Sequence, residues 1–112
     1  KLIIEVHDQG QDKRIGNLIE LTIFRIVQEL ITNVIKHAFA KAVTIDFTYF
    51  KDDLSIVFED DGVGFDHADS MNKAEGMGLS SLKRRIDQLN GNLEIDSKIG
   101  HGTTIIINIP LS

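Results

Sequence analysis

The residues that could do chemistry fall in four short segments of this 112-residue chain. The first is a polar stripe on a predicted helix, in which Arg25, Glu29, Asn33, Lys36 and His37 recur. At about 100° per residue, Glu29 and Asn33 lie only about 40° apart, so a carboxylate, an amide and a cation project together. Taken alone, the stripe also fits an ordinary solvated helix face, which tolerates any polar side chain.

The second segment, residues 60–64, reads Asp-Asp-Gly-Val-Gly and follows a predicted strand. Asp60 has the same parity in that strand as Leu54, Ile56 and Phe58, so it should face the core. A carboxylate there is costly without a partner, and the amine of a ligand would supply one. The competing interpretation is a plain Asp-Gly turn, and the core-facing parity of Asp60 favours the ligand.

The third and fourth segments are rich in glycine. Residues 76–79 precede a predicted helix, whose free backbone N–H groups and positive dipole end suit phosphate. Residues 100–104 read Gly-His-Gly-Thr-Thr and separate two predicted strands. Either segment alone also fits a glycine turn. The chain has no G-x-x-x-x-G-K-[ST] motif, and no G-x-G-x-x-G opens a helix after the first strand.

Hydrophobic periodicity predicts the elements that must position these segments. Alternation predicts strands at about residues 2–8, 43–50, 54–60, 93–95 and 103–109, the second and third joined as a hairpin. Helical spacing predicts helices at about 18–39 and 79–89. A long lid loop at 61–75 separates the third strand from the second helix. The expected buried face of the first helix contains Leu21, Phe24, Val27, Ile31, Val34, Ile35 and Ala38. Together these elements predict an α+β fold with two layers, helices on one face of a largely antiparallel sheet of about five strands.

Composition limits the partners and the location. Seventeen acidic and twelve basic residues give a formal charge of -5, which repels nucleic acid and anionic membranes. The chain has no cysteine, which is compatible with a reducing compartment, and the predicted location is the cytoplasm. The apolar runs are far shorter than the ~20 residues of a membrane helix. We expect a single domain over residues 1–112, and the opening at Lys1 within a strand suggests a piece of a longer protein.

The four segments occur in one order that resembles the Bergerat-fold (GHKL) ATPases, over nearly the whole chain. Residues 28–38, which end in Asn-Val-Ile-Lys-His-Ala, look like the N box of histidine kinases. Residues 60–65 resemble the D-x-G-x-G box, 76–79 the G-x-G-L box and 100–103 the closing G-x-G-T. The lid, which is short for this group of ATPases, and the basic residues of the second helix most resemble nitrate-sensor-like kinases. The resemblance implies the two-layer Bergerat fold and the catalytic ATP-binding domain of a bacterial sensor histidine kinase.

The resemblance implies a role for each segment, with ATP and Mg²⁺ as cofactors. Asp60 would accept the adenine amino group, Gly62 and Gly64 would shape the base pocket, and Thr103 or Thr104 would close it. Asn33 would ligate Mg²⁺, with Lys36 and His37 on the phosphates; Glu29 holds the place of the water-activating base of hydrolytic relatives. Backbone donors to the phosphates and lid hinges would come from Gly76, Met77, Gly78 and Leu79.

The resemblance also implies the partners. The domain would donate the γ-phosphoryl group to a histidine on a dimerisation and phosphotransfer domain of the same protein, and a response regulator would follow. His7-Asp8 resembles an acceptor pair, but we place His7 in a strand and predict that the acceptor lies elsewhere. His67 should be a surface residue of the lid, and His101 should be a turn residue. The alternatives are an anti-sigma-type serine kinase and a nucleotide-sensing pseudo-kinase of the same fold.

Overall fold

The computed structural model of the chain describes residues 2–10, 16–64 and 79–111. The predicted lid, with His67 and the glycine box at residues 76–78, therefore lies outside the described residues. The side chains of His37 and Leu79 lie outside them too, although the backbone of both is described. In chain order the elements are β1 (Ile3–Gly10), α1 (Asn17–Asn33), a π-helical turn (Val34–Ala38), β2 (Ala42–Tyr49), β3 (Asp53–Asp60), α2 (Leu79–Gln88), β4 (Asn92–Ser97) and β5 (Thr103–Pro110).

The five strands form one mixed sheet in the order β1-β2-β3-β5-β4. Strand β1 pairs parallel to β2, with α1 in the connection between them, and the other neighbours are antiparallel. The predicted class, α+β with a mostly antiparallel sheet, is confirmed. Strands β2 and β3 form the predicted hairpin, closed by the Phe50 N–H, which donates to the Asp53 carbonyl at 2.8 Å.

The core lies between the two helices and one face of the sheet. Alternate residues of β3 and β5 are buried, because successive side chains of a strand point to opposite faces. Helix α2 contributes Leu82 and Ile86, both fully buried. The other buried apolar side chains are Ile23, Ile26, Leu30, Val34, Val43, Ile45, Leu54, Ile56, Phe58, Ile105, Ile107 and Ile109.

The buried face of α1 differs from the predicted one. Ile23, Ile26 and Leu30 are buried, whereas Phe24 is 64% exposed and Leu21 51% exposed. Because α1 carries apolar residues on two sides, spacing alone did not determine which side packs on the sheet. Val27, Ile31 and Val34 were placed correctly, since they are buried or pack partly against the core, but Ile35 is exposed.

Two helix ends affect the site. The first helical segment ends near the predicted residue, yet its last five residues, Val34–Ala38, form a π-helical turn rather than α-helix. Such turns are rare and often occur at functional sites. Phe39 then adopts a left-handed conformation, with φ of 52°. Helix α2 ends at Gln88, and Asn90, two residues later, is also left-handed with φ of 58°, a conformation common just after a helix. None of the described helices is long and apolar enough to cross a bilayer.

Candidate functional site

Asp60 ends strand β3 on the helix side of the sheet, as its parity predicts. It continues the face of Leu54, Ile56 and Phe58 but is only half-buried, so its carboxylate stands at the rim of the core. Its Oδ1 atom accepts a hydrogen bond of 2.8 Å from the backbone N–H of Gly62. That local bond, two residues on, holds the carboxylate in one orientation as the chain leaves the strand.

Burial dominates the electrostatics of Asp60. It raises the pKa of the Asp60 carboxyl above its ordinary value, and the nearby negative charge of Asp61 adds to the rise. Backbone N–H groups of Gly62 and Thr103 act in the opposite direction but do not cancel it. A hydrogen-bond donor from a ligand would therefore stabilise the ionised form of this carboxylate more than it would stabilise an exposed one.

Two glycines bring the backbone unusually close around Asp60. Gly102, with φ of 75°, lies so near that a Cβ there would collide with the carbonyl oxygen of Asp60. Gly64, with φ of 65°, would place a Cβ against the carbonyl oxygen of Lys98. The Gly100 N–H also donates to the Val63 carbonyl at 2.7 Å. The loop after β3 and the turn between β4 and β5 therefore pack as one unit, which only glycine permits.

The two threonines of the fourth segment lie on opposite faces. Thr103 is buried, pairs with Asp60 across the strands and lies on the helix side. Thr104 has the opposite parity, beside Glu59, so the structure does not bring it to the face of Asp60. It lines a cleft of about 300 Å³ with Asp96, Lys98, His101 and Gly102. His101 lies in the turn, as predicted, and is exposed.

Ser97 is a site residue that sequence reasoning missed. It pairs with Thr103 across β4 and β5, and the two hydroxyl oxygens are 2.8 Å apart. Its hydroxyl also donates to the Gly102 carbonyl at 3.2 Å, which leaves Thr103 as the donor between the two hydroxyls. Ser97 therefore fixes the rotamer of Thr103 beside Asp60. The register of the second hairpin was the only signal in the sequence that could have identified it.

Asp61 does structural work. Its Oδ1 accepts hydrogen bonds from the backbone N–H groups of Ala42 at 3.0 Å and Lys41 at 2.8 Å. These bonds, Ala42 first, lower the pKa of Asp61. They also tie the end of β3 to the start of β2. The adjacent aspartates thus have different roles. Asp60 lies at the rim of the core, and Asp61 joins the end of β3 to the start of β2.

The connection between α1 and β2 brings the polar stripe to the same end of the sheet. The π-helical turn ends at Ala38, and three residues later the Lys41 N–H is bonded to Asp61. Three residues span at most about 11 Å. The C-terminal end of the first helical segment, which carries Asn33 and Lys36, therefore leads directly to the edge of the sheet where Asp61 follows β3. Asn33 is half-buried at the last position of α1, and Lys36 is exposed within the π-helical turn.

Glu29 is less free than the helical stripe suggests. Arg85 of α2 donates from Nε to its Oε1 at 2.9 Å, and about 30% of each side chain is exposed. Within the described part of the chain, Oε2 of Glu29 is shielded from solvent and has no hydrogen-bond partner. An unpaired, shielded carboxylate oxygen one turn from the Asn33 amide fits a site whose remaining donors arrive with a ligand.

The donor set in this region suits a magnesium ion shared with phosphates. Among residues 2–10, 16–64 and 79–111, no group of three His, Cys, Asp or Glu side chains could hold a metal. An amide oxygen from Asn33 with a nearby carboxylate is the sparse protein contribution that Mg²⁺ uses when it keeps waters and phosphate oxygens as ligands. The residues present therefore fit the ion.

Comparison with known proteins agrees with the architecture and the motifs. A family model described as "Histidine kinase-, DNA gyrase B-, and HSP90-like ATPase" matches residues 19–112. The chain belongs to this family. It also matches the blue-light activated histidine kinase of Erythrobacter litoralis EL346, with a TM-score of 0.81 and 25% identity, over 100% of this chain and 36% of that one.

The sequence relatives are histidine kinases. The chain is 35% identical to the histidine-protein kinase/phosphatase DegS of Bacillus subtilis, over 100% of this chain and 29% of that protein. It is 37% identical to ComP of the same species and 30% identical to the oxygen sensor histidine kinase NreB of Staphylococcus carnosus. Those matches cover 82% and 97% of this chain, but 12% and 31% of the relatives. The chain is thus a histidine-kinase-type ATPase domain. It spans under a third of the length of these relatives. The similarity to NreB is consistent with the predicted nitrate-sensor-like subfamily.

Proposed function

We propose that the chain binds Mg-ATP and donates the γ-phosphoryl group to a histidine on a separate dimerisation domain, as part of two-component signalling. The observation that carries the proposal is Asp60, a half-buried carboxylate with a raised pKa, held by Gly62 and enclosed by Gly102. The relatives DegS and NreB are histidine kinases, which supports the histidine-kinase class over a serine kinase.

At the base end, Asp60 accepts a hydrogen bond from the adenine amino group. Gly64 and Gly102 bring the backbone close without side chains, so a flat ring can lie beside them. Thr103 faces the same side and, with its own proton committed to Ser97, is an acceptor or a packing contact for the base. Thr104, on the other face, is left out of this pocket.

At the phosphate end, the C-terminal part of the α1 segment supplies the polar groups. Asn33 offers its amide oxygen to Mg²⁺, while Lys36 and His37 carry side chains suited to phosphate oxygens. When bound, Mg²⁺ neutralises charge on the phosphates. By the resemblance, the backbone N–H groups of Gly76, Met77, Gly78 and Leu79 would supply further phosphate contacts.

The reaction is a phosphoryl transfer in which the chain positions the nucleotide. The acceptor histidine nitrogen forms a bond to the γ-phosphorus as the bond to the β–γ bridging oxygen breaks, and ADP leaves with that oxygen. The proton of the attacking imidazole goes to an acceptor beside it in the partner domain. Glu29 takes no proton in this scheme, because that acceptor lies in the partner domain; Glu29 accepts a hydrogen bond from Arg85 instead.

The direct test uses the purified chain, labelled ATP with Mg²⁺, and the dimeric histidine-bearing domain from the parent protein. We expect label on that domain that is lost in acid and stable in base, as a phosphohistidine should be. Acid-stable label on serine would instead establish the serine-kinase alternative. Nucleotide binding without transfer to any acceptor would favour the pseudo-kinase.

A matched variant tests the adenine assignment separately. Asp60→Asn should weaken ATP binding by about tenfold to a hundredfold, because hydrogen bonds to charged groups contribute about 1.5–3 kcal/mol. Asp53→Asn, an exposed change at the opposite end of the same strand, should leave affinity unchanged. Calorimetry would measure the ATP affinity of both variants. If Asp60→Asn bound ATP as tightly as the parent, the assignment of Asp60 to adenine would be wrong.

A further inference from the structure

The ion pair between Arg85 and Glu29 is a long-range side-chain link between the two helices. Arg85 Nε and Glu29 Oε1 are 2.9 Å apart, across 56 residues of sequence. Both side chains are about two-thirds covered. By contrast, the Lys83–Asp87 pair on the same α2 helix is 3.3 Å long, lies within one helix and is 65% and 58% exposed.

Each helix joined by this pair borders a different part of the predicted phosphate site. Helix α1 carries Glu29 one turn before Asn33 and continues to Lys36 in the π-helical turn. Helix α2 begins at Leu79, directly after the glycine box whose N–H groups are expected to meet the phosphates. The proposed base pocket around Asp60, in contrast, involves β3, β4 and β5, residues 61–64 after β3 and the turn between β4 and β5.

We propose that Arg85 is a positioning residue for the triphosphate end of the site. Its bond to Glu29 sets the distance and angle between α1 and α2, and so aligns Asn33 with the N-terminal end of α2. This inference rests on the proposed function and adds a residue to it. Arg85 itself contacts Glu29 and need not touch the nucleotide.

The geometry also gives Glu29 a role other than that of a general base. One oxygen is held by Arg85, and the other is shielded without a partner in the described residues. Arginine keeps its charge at any working pH and offers its donors in a fixed, planar arrangement, so it orients the carboxylate rather than competing with it for a proton. Glu29 is therefore held in place, with one oxygen available to a group that arrives with the metal and phosphates.

The test compares the affinity of the chain for two probes, Mg-ATP and adenosine, measured by calorimetry. Arg85→Gln should weaken Mg-ATP binding by about threefold to fivefold, as expected for losing a partly covered ion pair, and change adenosine binding less than about twofold. Arg85→Lys should recover part of the loss, because it restores the charge but not the planar geometry. Glu29→Gln should give the same split, and the double variant with Arg85→Gln should be no weaker than either single variant.

The control is Lys83→Gln, which removes the exposed pair on the same helix and should leave both affinities unchanged. If Arg85→Gln weakened Mg-ATP and adenosine binding equally, the variant would have lost structure in general. If it weakened neither, the ion pair would have no role in binding. Each result overturns the proposal. The base assignment fails through a different observation, namely normal adenosine binding by Asp60→Asn. The two ideas can therefore be separated.

Discussion

The backbone of Gly102 lies directly against the carbonyl oxygen of Asp60, so closely that no side chain fits between them. This contact joins the turn before β5 to the end of β3, where their register pairs Asp60 with Thr103. The shape of the proposed base pocket therefore depends on the absence of a side chain at Gly102 as much as on the carboxylate of Asp60.

Replacing Gly102 with alanine should damage both folding and binding. Its φ of 75° is unfavourable for alanine, and the new Cβ would also collide with Asp60. Gly100→Ala is the matched control, since Gly100 has a similar φ of 84° but open space around it. We expect Gly100→Ala to cost about 1–2 kcal/mol of unfolding free energy and Gly102→Ala about 1–3 kcal/mol more. Urea denaturation and adenosine calorimetry would measure this, and equal effects at both sites would contradict the close contact.

Adenosine binding should depend on pH through Asp60. The ionised carboxylate accepts the hydrogen bond, and burial raises its pKa, so binding should be complete above that pKa and decline as pH falls through it. The decline should begin at a higher pH than an ordinary aspartate would give, and reach about tenfold per pH unit below the pKa. Calorimetry from neutral pH down to about pH 4, where an ordinary aspartate titrates, would follow it. Asp60→Asn should bind weakly with a flat profile, which also controls for protonation of adenine itself.

Asp60→Asn should have a second, opposite effect on the free domain. Because the folded state holds the proton more tightly than the unfolded state, the ionised carboxylate lowers stability at neutral pH. Asparagine retains an oxygen for the Gly62 N–H but carries no charge. We therefore expect a higher urea midpoint for the variant without nucleotide. A lower midpoint would mean that the carboxylate stabilises the free domain.

Asp61 should affect stability in the other direction. Its pKa is lowered in the folded state by the Ala42 and Lys41 N–H groups, so its contribution is present above the pKa of the unfolded state and is lost as pH falls through the folded value. Asp61→Asn should have a lower urea midpoint than the parent at pH 7, and the two midpoints should converge on acidification below about pH 4. A difference that is independent of pH would exclude this linkage.

Asn33→Ala should separate the contribution of Mg²⁺ to nucleotide affinity from that of the adenine base. We expect Mg²⁺ to stop improving ATP affinity, a loss of about tenfold for one ligand, while adenosine binds nearly as in the parent. Thr32→Ala is the adjacent control, because Thr32 is exposed and its hydroxyl donates to the Gln28 carbonyl of its own helix at 2.8 Å. Titrations with and without Mg²⁺ would show the difference. Equal loss of ATP and adenosine would count against a metal role.

The sequence predicted the sheet and the position of Asp60 well, because period-two alternation in β3 and β5 has a single solution when one face is buried. Helix α1 was harder, since apolar residues on two sides left the buried face to tertiary packing, and Phe24 was assigned to the wrong side. The π-helical turn had no signal in the residue types. The Arg85–Glu29 pair joins residues distant in sequence, which no local pattern indicates.

The site roles themselves stay predictions that experiments must decide. The structure brings Asp60, Gly62, Gly64 and Thr103 together and puts Asn33 on the helix that ends nearby. It separates Thr104 from that group, which parity alone could have shown, since adjacent strand residues face opposite ways. The phosphate-loop glycines lie outside the described residues.

The different tasks of Asp60 and Asp61 make strand alignment a condition of ligand recognition. A shift of β3 by one residue would exchange every side chain between its two faces, so Asp61 would turn inward and Asp60 would turn toward the hairpin edge. The two N–H bonds that Asp61 accepts oppose such a shift. Asp61, which has no proposed contact with the ligand, would thus ensure that Asp60 is the aspartate that faces it.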